Sequence, residues 1–105
     1  MENTYIIISA TFDNEEEAKM IADILLGERL VSCCQFSNIR SKYYWKGKLE
    51  ETEEILLQMK SKKKLYKEVE RVIIENHSYD VPQIVATNIT CGSKDYLSWI
   101  DEETK

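Results

Sequence analysis

The single histidine and one cysteine of this sequence are the side chains best suited to bind a transition metal. His77 lies in a polar segment, and Cys91 follows a run of apolar residues. Imidazole and thiolate are ligands that Cu or Zn accepts, which makes these two residues the candidate metal ligands. Such a metal needs several nitrogen or sulfur donors, so copies of His77 from several chains, or His77 with a cysteine, would have to combine. The alternatives are a surface histidine that makes hydrogen bonds and a packed, reduced thiol.

A second candidate site mixes aromatic rings with charges of both signs. Six residues form this candidate ligand pocket: Tyr44, Trp45, Glu50, Glu54, Lys60 and Tyr79. Glu50, Glu54 and Lys60 share one side of an extended segment, because successive side chains of a strand alternate between faces. An aromatic-lined cleft with mixed charges between two subunits would suit a small ligand, such as an anion. The alternative interpretation is a salt bridge between subunits.

Several other chemistries lack the residues they need. One histidine without a nucleophile motif gives hydrolysis little support, so we expect no catalysis, and an enzyme that uses the same cleft is the weakest hypothesis. The loop after the first strand has no cysteine pair for a metal chaperone and no Arg or Gly for a phosphate cradle. A net charge of -5 argues against nucleic acid as a partner.

Length and composition indicate one ordinary globular domain, residues 1–105, with 43% hydrophobic residues. Three cysteines form an odd set without C-x-x-C spacing, so we expect reduced thiols. The first apolar run is too short for a signal peptide, and no run approaches the roughly 20 apolar residues of a membrane span. We therefore expect a soluble cytoplasmic protein that does not bind membranes.

The pattern of apolar residues predicts four strands and three helices. The strands are predicted over residues 4–10, 30–45, 49–60 and 83–90, with a turn or bulge at Ser37 and Asn38 in the second. Lys46 and Gly47 are predicted to form the turn of a long β-hairpin. The helices are predicted to follow caps at Asp13 or Asn14, at Ser61 and at Ser93, and a loop is predicted over residues 77–82.

The predicted order β-α-β-β-α-β plus a C-terminal helix is the split β-α-β arrangement of α+β, ferredoxin-like folds. Both helices of that arrangement lie on one face of the sheet. Several strands are apolar on both faces, so we expect the second face to be buried by another subunit. Aromatic residues at the end of an overhanging, otherwise charged hairpin also favour a partner surface, with self-covering of the hairpin as the alternative.

Four segments resemble the CutA divalent-cation-tolerance proteins. They are residues 43–50 (YYWKGKLE) with Glu54 and Lys60 downstream, residues 30–33 (LVSC), residues 77–83 (HSYDVPQ) and residues 95–100 (DYLSWI). The resemblance implies a ferredoxin-like subunit in a tight homotrimer whose hairpins pair between neighbouring chains. It also implies a role in tolerance of divalent metals, with copper binding in some members and no settled enzymatic activity. A PII-like small-ligand sensor or interaction module is the alternative function, by analogy of fold.

This sequence departs from the family pattern where copper ligands are concerned. Ser9 stands where some bacterial members carry a cysteine attributed to copper, and Asn76 replaces the first of two adjacent histidines. Gln83 replaces a common glutamate, and Cys91 stands where some members have histidine. Soft and imidazole donors are therefore depleted, and we expect weaker copper binding than in those members.

Overall fold

Four antiparallel strands and three α-helices form the part of the chain that the computed structural model describes, residues 3–105. The elements are β1 (Tyr5–Phe12), α1 (Glu15–Gly27), β2 (Cys33–Trp45), β3 (Lys48–Lys62), α2 (Tyr66–Asn76), β4 (Ile84–Asn88) and α3 (Lys94–Glu103). One 3-10 turn, Lys63–Leu65, precedes α2. The strands lie in the order β2-β3-β1-β4, which is the ferredoxin-like arrangement. The predicted fold class and element order are confirmed.

The hydrophobic core lies between one face of the sheet and helices α1 and α2. Alternate residues of β1 point into it, and all are at most 2% exposed: Ile6, Ile8, Ala10 and Phe12. Helix α1 contributes Ala18, Ile21, Ala22 and Leu25, which lie on one face because their spacing matches the helical period. Helix α2 contributes Val69, Val72 and Ile73 in the same way. Burial of these side chains holds both helices on the sheet.

Helix α1 has a defined signal at each end. The side chain of Asn14 accepts a hydrogen bond from the Glu17 amide at 2.8 Å, so Asn14 is the cap of the two predicted candidates. At the other end Arg29 has a φ of 58°, in the left-handed region. The amides of Arg29 and Leu30 return to the carbonyls of Leu26 and Leu25, each at 3.0 Å. This is a Schellman ending, with Arg29 at the position that glycine usually takes.

The predicted turn or bulge at Ser37 and Asn38 is wrong. Both residues lie within β2, opposite Leu56 and Ile55 of β3. Their preference for turns is overridden because the apolar residues on both sides keep the two strands in register. The second strand also begins later than predicted, at Cys33, and the buried residues Leu30 and Val31 belong to the connection before it.

The predicted helix cap at Ser61 is also wrong. Ser61 lies in β3, and its buried hydroxyl donates a hydrogen bond to the Leu30 carbonyl at 2.6 Å. The strand continues to Lys62 because Ser61 bonds to the Leu30 carbonyl and pairs with β1. As a helix cap, Ser61 would lose both partners. Ser93 does precede α3, but its side chain makes no capping bond, and only its carbonyl accepts from the Leu97 amide at 3.0 Å.

Helix α3 covers one end of the second sheet face. Lys62 points to that face and is 3% exposed. Its ammonium lies 3.3 Å from the Asp101 carboxylate and donates to the Asp101 and Thr104 carbonyls at 3.4 and 3.5 Å. Cys33 of β2, on the same face, lies 3.7 Å from the Tyr96 hydroxyl. The rest of that face, towards Val85, stays accessible in one chain.

The β2–β3 hairpin reaches well beyond the other strands. Its pairing is unbroken from Cys33 opposite Lys60 to Trp45 opposite Lys48. Lys46 and Gly47 both have positive φ, 50° and 81°, which defines a type I′ turn and confirms the predicted one. Pairing of β1 with β3 stops at Ile55, so the longest dimension of the subunit is 46 Å, against 26 and 21 Å.

Candidate functional site

A cleft of about 650 Å³ lies between one face of the hairpin, from Glu54 out to Trp45, and the loop after α2. The end of β1 contributes two residues to it, the hairpin contributes six, and the loop contributes four. The lining residues are Thr11, Asp13, Ser41, Lys42, Tyr43, Trp45, Thr52, Glu54, Tyr79, Asp80, Val81 and Gln83. The cleft exists because β1 ends at Phe12 while β3 extends beyond that point. The edge of β3 next to the end of β1 is therefore left without a strand neighbour in the described part of the chain, and the loop lies beside it.

Glu54 is the buried charge of this cleft. Its side chain leaves β3 just beyond the end of β1, and the residue is only 8% exposed. Its Oε2 accepts a hydrogen bond from the Tyr79 hydroxyl at 2.9 Å. Within residues 3–105 no lysine or arginine forms an ion pair with it. Burial, the hydrogen bond to Glu54 and its negative charge together raise the pKa of Tyr79 well above its ordinary value.

His77 holds the loop in place. Its Nδ1 accepts from the Tyr79 amide at 3.1 Å, so in the tautomer consistent with these partners Nε2 carries the hydrogen and donates to the Thr11 carbonyl at 2.7 Å. The ring stacks on Phe12 with centroids 4.5 Å apart and contacts the Tyr79 ring at 4.7 Å. Both ring nitrogens are therefore used within the chain, and neither has a lone pair free for a metal.

The remaining lining combines aromatic rings, polar side chains and charges of both signs. Tyr43 and Thr52 are diagonal neighbours on one face of the hairpin, and their hydroxyl oxygens lie 3.5 Å apart. The ammonium of Lys46 lies 5.7 Å from the centroid of the Trp45 ring. Three carboxylates line the cleft, those of Asp13, Glu54 and Asp80, against the single ammonium of Lys42. The cleft of one chain thus carries an excess of negative charge.

The structure brings together three of the six residues of the sequence-derived pocket. Trp45, Glu54 and Tyr79 line the cleft. Glu50 lies on the same face, opposite Tyr43, but is not among the lining residues, whereas Tyr44 projects from the other face and is 76% exposed. Lys60 lies six residues from Glu54, roughly 20 Å along the strand, where it donates to the Gln35 side chain.

The two candidate metal ligands lie at opposite ends of the sheet. His77 contacts Thr11, near the end of β1. Cys91 is exposed and follows β4 beyond Ile89, whose amide donates to the Tyr5 carbonyl at the start of β1. Within residues 3–105 no group of three or more His, Cys, Asp or Glu side chains is placed to hold a metal ion. The donors of one chain therefore do not fit a copper or zinc centre.

Sequence reasoning missed Tyr43, Asp13, Asp80 and Gln83 as lining residues. A signal for Tyr43 was available, since a two-residue turn places residues 43, 45, 52 and 54 on one face. Asp80 and Gln83 belong to the loop that already supplied Tyr79. Asp13 had no local signal, because only the packing of the loop against the end of β1 brings it to the cleft.

None of the helices within residues 3–105 is both long enough and apolar enough to cross a membrane.

Comparison with known proteins finds one family along nearly the whole chain. The model of the family described as CutA1 divalent ion tolerance protein matches residues 6–103. The divalent-cation tolerance protein CutA of Pyrococcus horikoshii is 39% identical over 100 residues, which cover 95% of this chain and 98% of that protein. The chloroplastic protein CutA of Arabidopsis thaliana is 35% identical over 95% of this chain, which spans 56% of that protein.

A solved structure superimposes closely on this one. It is the structure of the periplasmic divalent cation tolerance protein CutA from Archaeoglobus fulgidus, with a TM-score of 0.94 and 35% sequence identity. The match covers 96% of this chain and 99% of that one.

Proposed function

Because the chain belongs to the CutA1 divalent ion tolerance protein family, we propose that it acts in divalent-cation tolerance as a homotrimer without catalysis of its own. The match over residues 6–103 is the observation that carries the cellular role. We place the protein in the cytoplasm on the sequence argument, although relatives include a chloroplastic and a periplasmic protein. Fractionation of cells that express the chain would test that location.

The hairpin supports the proposed assembly. Between Lys48 and Glu54, strand β3 pairs with β2 on one edge and with no other strand within residues 3–105. Tyr44 and Leu49 on its outer side are 76% and 55% exposed. An unpaired strand edge beside exposed apolar side chains is a surface on which another chain can add a strand. Pairing there would cover the hairpin and place the Glu54 cleft close to a subunit boundary.

The proposed role in cation tolerance does not require a metal ion bound within a single chain. Both nitrogens of His77 are engaged, and Cys91 lies at the other end of the sheet. A Cu or Zn site would need donors from more than one subunit. The cleft is the basis of the second candidate function, a small-ligand sensor, and its three carboxylates favour a cationic ligand over the anion considered from sequence.

The test combines cell growth with the mass of the purified protein. A host strain that lacks its own CutA protein is grown on graded copper and zinc salts, with and without this chain. We expect the chain to raise the tolerated concentration, and light scattering to give three times the 12.3 kDa subunit mass. Replacing Leu49 by Asp should break the assembly and abolish tolerance, whereas the matched control Ile74→Asp, at an equally exposed apolar residue of α2 away from the hairpin, should leave both intact.

Two outcomes would contradict the proposal. A monomer across working concentrations would remove the assembly. A trimer that gives the strain no advantage on either metal would remove the tolerance role and leave the small-ligand hypothesis.

A further inference from the structure

We propose that the cleft around Glu54 binds a small organic cation, an alkylamine or alkylguanidine that carries no carboxylate of its own. The inference rests on the cleft as a ligand site, which the second candidate function includes. It is independent of the divalent-cation role. It specifies the chemical class of the ligand and the residue that recognises its charge.

The carboxylate of Glu54 has an unmatched charge. A carboxylate has sites for about four hydrogen bonds, and among residues 3–105 this one receives a single side-chain bond, from Tyr79. It is nine-tenths buried, and no cationic side chain within residues 3–105 pairs with it. Buried charges in proteins are normally paired, because burial removes the water that would otherwise stabilise them. Ammonium and guanidinium groups supply both the positive charge and several N–H donors.

Aromatic rings form one wall of the cleft. Tyr43, Trp45 and Tyr79 line the same cleft as Glu54. The faces of such rings attract cations, and organic cations also bury their carbon atoms against them. The Tyr79 ring is held against His77, and that imidazole is stacked on Phe12, so this part of the wall is ordered before a ligand arrives. An ordered wall reduces the conformational entropy that binding would otherwise cost.

The charge and size of the cleft favour organic cations over anions and metal ions. Asp13 and Asp80 add two negative charges to that of Glu54, against Lys42 alone, which disfavours phosphates and carboxylates. A hard metal cation needs about six oxygen ligands that converge on a point. No three acidic side chains within the described residues converge in that way. A cleft of about 650 Å³ has the size of a small-molecule site and is far larger than a site for a bare ion.

The probes are agmatine and putrescine, titrated by calorimetry into the assembled protein. Arginine is the control that adds only a carboxylate to agmatine, and inorganic phosphate and ZnCl2 test anions and metal. We expect agmatine or putrescine to bind at one per chain, at least about tenfold more tightly than arginine, with no heat from phosphate at the same site.

Variants locate the site. Glu54→Gln keeps the size of the side chain and should weaken agmatine binding at least about tenfold. Glu51→Gln removes a charge from the opposite face of the same strand and should leave the affinity unchanged. Thermal unfolding of Glu54→Gln checks that a loss of binding is not a loss of fold. Tyr79→Phe, which removes the one partner of Glu54, should change the affinity without abolishing it.

The inference is overturned if neither amine binds, or if Glu54→Gln binds agmatine as well as the parent protein does. An intact trimer without amine binding would contradict this inference and leave the assembly proposal standing. Amine binding by a protein that gives no metal tolerance would contradict only the divalent-cation role.

Discussion

The imidazole of His77 joins the loop after α2 to the end of β1, since its Nε2 donates to the Thr11 carbonyl at 2.7 Å. The same ring accepts the Tyr79 amide through Nδ1. Tyr79 in turn donates its hydroxyl to Glu54. A chain of three hydrogen bonds thus connects the strand end, the loop and the buried carboxylate. The histidine has a structural role, and the cleft depends on it indirectly.

Replacing His77 by Ala should therefore destabilise the fold and leave metal binding unchanged. Two hydrogen bonds and the stacking on Phe12 are lost, which predicts a decrease of about 2 kcal/mol in the free energy of unfolding. Urea denaturation measures the stability, and calorimetry with Cu and Zn measures the affinity. Ser78→Ala, which removes only an exposed bond to Glu17, should cost less than about 0.5 kcal/mol. Loss of metal binding at unchanged stability would contradict this role.

The raised pKa of Tyr79 predicts a specific loss of stability at alkaline pH. Burial, the bond to Glu54 and the nearby negative charge keep this phenol protonated in the folded state above its ordinary pKa of about 10. Its contribution is then fully present below pH ~10 and is lost as the pH rises through the folded-state pKa. The unfolding free energy of the parent protein should fall more steeply above pH ~10 than that of Tyr79→Phe. Parallel curves would contradict the shift.

The three thiols should differ strongly in reactivity. Burial, with smaller contributions from the neighbouring Cys33 and Asp23, raises the pKa of Cys34 to about 12. At pH 8 only about one Cys34 thiol in ten thousand is then ionised, and the thiolate is the reactive form. Cys91 is exposed, so iodoacetamide should label it first, and Cys34 should react only on unfolding. Mass spectrometry of timed samples measures the order, and Cys91→Ser should remove the fast phase. Early labelling of Cys34 would show that it is more accessible than the structure has it.

Lys62 should be the main attachment of α3 to the sheet. It is 3% exposed and contacts Asp101 and the Thr104 carbonyl. Lys62→Met keeps the buried volume and removes these bonds, with an expected loss of about 2 kcal/mol, because Asp101 is partly exposed and can be solvated instead. Hydrogen exchange should speed up in α3 and stay unchanged in α1. The control Lys63→Met changes an exposed neighbour, and an equal effect there would argue against the attachment.

The type I′ turn predicts a stabilising substitution. Lys46 has a φ of 50°, which costs energy for most side chains, whereas Asn tolerates the left-handed region. Lys46→Asn should raise the free energy of unfolding by roughly 0.5–1 kcal/mol. Lys48→Asn, outside the two central turn positions, should not. Thermal unfolding measures both variants, and a loss of stability in Lys46→Asn would mean that the contact of Lys46 with Trp45 matters more than the backbone.

The fold was predictable because apolar residues recur with the period of a strand in some segments and with the period of a helix in others. Ile6, Ile8 and Ala10 alternate along a strand, whereas Ala18, Ile21 and Leu25 follow the helical period. Ser37 and Ser61 show where local preference fails. Each is common in turns or caps, yet each lies in a ladder whose neighbours outweigh its own preference.

The site was half predictable for a related reason. Trp45, Glu54 and Tyr79 stood out by residue type. Tyr44 was chosen in place of Tyr43, although only the ring of Tyr43 lies on the same face of the hairpin as Glu54. Lys60 was included because alternation puts it on the same face as Glu54, although its distance from Glu54 along the strand separates them. Asp13 and Asp80 line one cleft because the bond between His77 and Thr11 holds the loop against the end of β1, which no local pattern encodes.

The unbroken pairing from Cys33 to Trp45 limits how this hairpin can evolve. One residue inserted in β3 between Glu54 and Lys62, where the strand pairs with β1, would turn Glu54 away from the cleft and bring a residue of the opposite face into it. Viable length changes must therefore come at the tip, in units that add or remove matched pairs on both strands. Two residues on each strand alter the reach of the hairpin by about 7 Å, so related proteins should have hairpins whose lengths differ in steps of that size.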